Sequence, residues 1–177
     1  MSSSPPTELT PQAGAAQAPL TLRDAVRPAD APLVEQLVRD TGFFHPEEVL
    51  VARELVETYL SQGPASGYVF LFAEREGVTL GYACYGPIPM SDRRYDLYWI
   101  ATAPQAQRGG IGKALLRAVE ADVARRGGAR IYVETSSKPL YAPTREFYLR
   151  AGYHLEATLP GFYADHDDKL IYTKYLQ

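Results

Sequence analysis

Sulfur and imidazole are scarce in this chain, with one cysteine, two methionines and three histidines among 177 residues. A single thiol, Cys84, excludes an internal disulfide framework and a zinc site built on cysteines, and it suits a reducing compartment. His45, His154 and His166 fall at no ligand spacing, so no metal is expected. Basic runs are missing as well. With 18 Lys and Arg against 21 Asp and Glu the net charge is −3, and no basic stripe could release counterions from a nucleic acid. No apolar stretch approaches a membrane span, and the N-terminus lacks the charged start and apolar run of a secretion signal, so the expected location is cytoplasmic.

What the chain does have is 46% apolar and 22% charged residues, the balance of a soluble protein long enough for one core. Thirteen tyrosines are many for this size. The first nineteen residues, MSSSPPTELTPQAGAAQAP, are dominated by Pro, Ser, Ala and Gln and cannot bury enough apolar surface to offset the entropy of ordering. A disordered tail over 1–19 and one domain over 20–177 are therefore expected.

Strand and helix signals alternate along that domain. LTLRDAV reads as a strand, and Asp30 as the N-cap of a helix APLVEQLVRDT that Gly42 ends. Pro46, Glu47 and Glu48 open a second helix running to Gly63. YVFLFAERE and TLGYACYG form an antiparallel hairpin turned at Gly77-Val78, and YDLYWIATA is a further long strand. A Gly-rich turn then opens the helix GKALLRAVEADVARRGG, and its crossover makes ARIYVETS parallel to the strand before it. PTREFYLRAG is a short helix, followed by strands YHLEATL and KLIYTKYL around a polar loop, GFYADHDD. The sum is an α/β fold with a mixed sheet of about seven strands and helices on both faces.

The turn QAQRGGIGKALL has the character of a phosphate loop, because the free amides and dipole of a helix N-terminus favour an anion. Gly109, Gly110 and Gly112 remove side chains where backbone must approach it, while Arg108 and Lys113 add positive charge. A nucleotide triphosphate loop of the form G-x-x-x-x-G-K-[ST] fails at both ends, at Gln107 and at Ala114. The dinucleotide pattern G-x-G-x-x-G fails at Leu115. What fits is Q-x-x-G-x-G over Gln107 to Gly112, at a strand-to-helix junction.

With that loop and the downstream EFYLRAGY, the chain resembles the GNAT superfamily of acetyl-coenzyme A dependent N-acetyltransferases. The family's motifs are R/Q-x-x-G-x-G/A and F-Y-x-x-x-G-F, the second ending here in Tyr153. The resemblance implies the GNAT fold and transfer of an acetyl group from acetyl-CoA to a primary amine of a small molecule or peptide, by direct attack in a ternary complex. A non-catalytic acyl-CoA-binding or sensing domain is the alternative. It further implies a pyrophosphate held by Gln107, Arg108, Gly109, Gly110, Ile111, Gly112 and Lys113. The thioester arm would lie along Ile100, Ala101 and Thr102, with an amide near Ile100 facing the acetyl carbonyl.

Tyr148 is placed by the same resemblance as the acid for the leaving thiolate. Asp96 corresponds by spacing to a general base of the histone acetyltransferase branch; Glu134, at the end of the next parallel strand, and a water chain remain open beside it. Tyr141 and Thr144 stand where many relatives have an Asn on the coenzyme arm. The loops expected to line the acceptor side carry Phe43, Phe44, Tyr85, Phe162 and Tyr163 with Asp165, Asp167 and Asp168, a rim suited to a cationic amine. Cys84 is read as a packing residue, and Tyr98 and Trp99 as alternating core and groove residues. The edges of an open sheet must be covered or blunted, so pairing into a homodimer is a further expectation.

Overall fold

In the computed structural model, residues 18–107 and 109–176 are described. The expected tail, apart from Ala18 and Pro19, lies outside the described residues, as does Arg108. Eleven elements follow in chain order: β1 (Thr21–Arg23), α1 (Asp30–Asp40), α2 (Pro46–Gln62), β2 (Val69–Arg75), β3 (Val78–Pro87), β4 (Arg94–Thr102), α3 (Ile111–Arg125), β5 (Arg130–Ser136), α4 (Ala142–Arg150), β6 (His154–Ala164) and β7 (Asp167–Tyr175). The seven strands make one sheet in the order β1-β2-β3-β4-β5-β7-β6. Every neighbouring pair is antiparallel except β4 and β5, which the α3 crossover makes parallel, as the sequence leads one to expect.

Alternation along the strands divides two cores. Ala83, Tyr85, Leu97, Ile131, Val133 and Tyr172 face α3 and α4, where Leu115, Val119, Val123 and Tyr148 close the layer. On the other face Phe70, Phe72, Tyr82, Cys84 and Ala101 meet Val34, Val38, Val49 and Val56 of α1 and α2. A fully buried Val, Leu or Phe contributes about 1.5–3 kcal/mol, so these two layers hold the sheet between its helices.

Three local expectations change. Asp30 does not cap α1: its carboxylate turns back to accept two hydrogen bonds from the Arg23 guanidinium, both at 2.9 Å, and one from the Arg27 amide. A guanidinium with both prongs in reach is a stronger partner than a helix amide. The β2–β3 turn sits one residue earlier than expected, at Glu76 and Gly77, both with positive φ as a two-residue hairpin turn requires. Finally, GFYADHDD is no loop. β6 runs on to Ala164, with a bulge between Leu159 and Ala164, and β7 begins at Asp167.

Candidate active site

The strand β4 carries the geometry that matters. It pairs with β5 only at Arg94, Tyr95 and Asp96, and beyond Asp96 the two strands separate. On its other side β4 stays paired with β3 through Thr102, but Tyr85 faces Leu97 while Cys84 faces Trp99, so Tyr98 is one residue too many. This bulge reverses the alternation of the backbone. Before it Arg94 offers its carbonyl to the Ile88 amide on the β3 side, whereas after it the Ala103 amide reaches the Leu80 carbonyl. Antiparallel alternation then aims the N–H and C=O of Ile100 and Thr102 away from β3, into the opened gap. Ala101, opposite Tyr82, turns its backbone to β3 and buries its side chain.

At the end of β4 a short turn, Pro104–Ala106, leads to Gln107, Gly109 and Gly110, all exposed. Gly110 takes φ 76° at the start of α3, a conformation that glycine adopts without strain. Ala114 is the first amide to bond back into the turn, to the Gly110 carbonyl at 2.9 Å, and no side chain caps the helix. Ile111 spends its side chain in the core, so only its backbone is free for a ligand. Lys113 is exposed on the first turn. At Gly112 an added Cβ would meet nothing closer than Phe147 at 3.7 Å, so the fold itself does not require glycine there.

Tyr148 on α4 is 5% exposed, among Phe147, Tyr153 and Tyr172. Burial holds its phenol well above the ordinary range, and its hydroxyl bonds no group among the described residues. Asp96 lies on the opposite sheet face. It is in register with Tyr132, and Glu134 follows two residues later on the same face. Burial first, and the charge of Glu134 second, push the Asp96 carboxyl up to about 6, against a lowering by Lys169. Glu134 is half exposed and ion-paired to Lys169 at 2.6 Å. Tyr98 is pushed up to about 12 by burial and then by the charge of Asp96, and its ring packs edge-on against Tyr68 with ring centres 5.6 Å apart.

The aromatics expected on the acceptor side divide between packed and exposed. Phe44 packs on Trp99 with ring centres 4.8 Å apart, and the Tyr141 hydroxyl donates to the Phe43 carbonyl at 3.2 Å, fixing the α1–α2 loop over the end of β4. Phe162 and Tyr163 stand on the β6 bulge, about half exposed. Tyr85 does not belong here. It is fully buried on the α3 face and its hydroxyl donates to Asp122 at 2.6 Å, because the β4 bulge and strand alternation turn it inward. Nor does Asp167 offer a free charge, since it is buried, accepts from Ser136 and pairs with Lys138 at 3.2 Å. Asp168 accepts from the Gly161 amide on its carboxylate and donates its own amide to the Ser137 hydroxyl. Asp165 remains exposed.

Residues 33–153 match the family model for acetyltransferases of the GNAT family. The chain belongs to that family. A GNAT-family crystal structure from Desulfovibrio desulfuricans is 50% identical, covers 90% of this chain and 100% of its own, and superposes with a TM-score of 0.88. A ribosomal-protein-alanine N-acetyltransferase from Brucella melitensis is 25% identical, over 88% of this chain and 99% of that one, with a TM-score of 0.71. The acetyltransferase-like yncA from Salmonella typhimurium, solved with acetyl-CoA, is 20% identical over 89% and 94%, TM-score 0.71. No curated protein matches the sequence significantly. As a GNAT acetyltransferase the chain is an enzyme of acetyl transfer on a mixed seven-stranded sheet. Among its described residues no helix is long and apolar enough to cross a membrane.

The sequence places Glu48 and Lys169 in loops expected to line the acceptor side, TGFFHPEE and GFYADHDDK, but singles neither out. In the structure Lys169 pairs with Glu134, and the charge of Glu48 acts on Tyr141 and Tyr163.

Proposed function

We propose that this GNAT acetyltransferase uses acetyl-CoA as donor and a primary amine as acceptor, joined in a ternary complex. The observation that carries the reading is the separation of β4 from β5 just past Asp96, with the backbone of Ile100 and Thr102 open to it. The pantetheine arm lies along that gap and bonds those two residues as an added strand would. Its pyrophosphate sits on the amides from Gly109 to Lys113, with Gln107 beside it, where free N–H groups and the α3 dipole favour negative charge. The presence of acetyl-CoA on the same fold in the Salmonella relative supports this donor.

Chemistry then proceeds across the gap. An amine of lysine type has a pKa near 10, so most of it must lose a proton before attack. Asp96, at about 6, is largely ionised at neutral pH yet basic enough to take that proton, the match to working pH that general-base catalysis favours. The amine lone pair attacks the acetyl carbon and an amide near Ile100 meets the developing oxyanion. The carbon–sulfur bond breaks, and Tyr148, kept neutral by burial, gives its proton to the thiolate. The carboxylates of Asp96 and Glu134 with the rings of Tyr98, Tyr141 and Tyr163 favour a cationic acceptor.

Thiol release from acetyl-CoA, measured against amino acids, polyamines, aminoglycosides and peptides, tests the proposal. One amine class should support turnover. Tyr148→Phe should lower it by about 10²-fold or more, with the melting temperature unchanged because no protein hydrogen bond is lost. Coenzyme binding without release on any amine would overturn the reading.

A further inference from the structure

The strand β6 leaves its partner for four residues. Leu159 faces Lys169 and Ala164 faces Asp167, so Pro160, Gly161, Phe162 and Tyr163 are opposed by Asp168 alone. Gly161, at φ 60°, turns the chain, and its amide donates to the Asp168 carboxylate at 2.9 Å. The bulge thereby folds two rings over one ammonium: Lys169 Nζ lies 3.9 Å from the centre of Phe162 and 5.7 Å from that of Tyr163. The same nitrogen is 2.6 Å from Glu134 Oε2, and the lysine side chain is 14% exposed.

Register puts Glu134 on the sheet face of Asp96, two residues past Asp96's partner Tyr132, and Lys169 one strand further across. Glu134 pairs with Ile171, and Lys169 is two residues from Ile171 on the same face. Glu134 is thus held by Lys169, while Asp96 has no hydrogen bond or ion pair among the described residues. We propose that Lys169 is a positioning residue of the acceptor site: by binding Glu134 beneath the Phe162 and Tyr163 bulge, it leaves Asp96 as the free carboxylate that receives the acceptor's proton. This rests on the reading of Asp96 as the base.

The physical reason is charge balance. Two carboxylates on adjacent strands repel, and with no cation between them one takes up a proton near neutral pH. The charged and titratable groups whose fields couple with Asp96 are Glu134 from β5, Lys169 from β7 and Tyr98 from β4. Tyr163 from β6 feels Glu134 and, from α2, Glu48. Of these only Lys169 supplies positive charge.

Titration of the full chain, carboxyl-labelled with carbon-13 at aspartate and observed by NMR without any acceptor, tests the proposal. Lys169→Met should raise the Asp96 midpoint by about one pH unit, and Lys169→Arg should keep it close to that of the unsubstituted protein. Glu134→Gln should lower it, because the repelling carboxylate is gone. An Asp96 midpoint unmoved in a folded Lys169→Met protein overturns the inference. Should that variant not fold, an unmoved midpoint in Glu134→Gln does so instead. A fully active Asp96→Asn enzyme, with the Lys169 shifts intact, overturns the base reading rather than the coupling.

Discussion

A carboxylate two strands from a lysine is an unremarkable surface pair until burial is considered. Half-buried Asp96 has lost water without gaining a partner, and Glu134 adds repulsion, so its carboxyl sits at about 6 instead of the ordinary carboxylate range. The sign follows directly. The acid is protonated and idle below that value and ionised above it, so kcat/KM should rise through pH 6 to a plateau near neutrality. Asp96→Asn should remove that acid limb and lower the plateau by about 10²-fold, read from initial rates of thiol release between pH 5 and 8. Asp96 is a candidate by spacing and Glu134 by its place at the end of the next parallel strand. What local sequence does not show is that Lys169, 35 residues past Glu134 in sequence, lies 2.6 Å from it in space and so engages one of the two.

At the level of elements, the junction of β4 and α3 joins two devices, a strand that opens and a helix that starts uncapped. The glycines of this junction differ in what they do. Gly110 has a positive φ and would be strained by any side chain, and a Cβ at Gly109 would press on the Ala106 carbonyl at 3.1 Å. Gly112 is free of both constraints, so Gly112→Ala separates ligand from fold. Its melting temperature should be unchanged or slightly higher, since alanine favours a helix by up to about 1 kcal/mol over glycine. Coenzyme A affinity, measured by calorimetry, should fall at least about tenfold as the methyl group displaces the pyrophosphate by contact. Unaltered affinity would move the pyrophosphate off this turn. The motif Q-x-x-G-x-G revealed the junction, but not the Tyr98 bulge that redirects Ile100 and Thr102, because a bulge is a mismatch with a strand distant in sequence.

For the molecule as a whole, the weak point is the edge where β1 attaches by only three residues. Arg23 secures it. Its guanidinium joins Asp30 at the start of α1 and Glu74 on β2, at 2.8–2.9 Å, and lies 4.2 Å over the Phe72 ring. Arg23→Met would leave the buried Asp30 carboxylate without its cation, a loss of about 3–5 kcal/mol. Thermal unfolding should then begin roughly 10 °C lower, and a shift of a degree or two would show that β1 contributes little.

The sequence by itself determined the order of elements, the parallel β4–β5 pair and the place of the glycine-rich turn. These follow from apolar periodicity, glycine conformations and crossover handedness, all properties of neighbouring residues. It also offered Tyr148 and Asp96 as candidates. Only the tertiary structure turned Tyr85 inward, drew Asp30 to Arg23, extended β6 into a bulge and placed Lys169 on Glu134. Each of those outcomes depends on which strands come to lie side by side and how far each charge is taken from water, and no local pattern of residues carries that information.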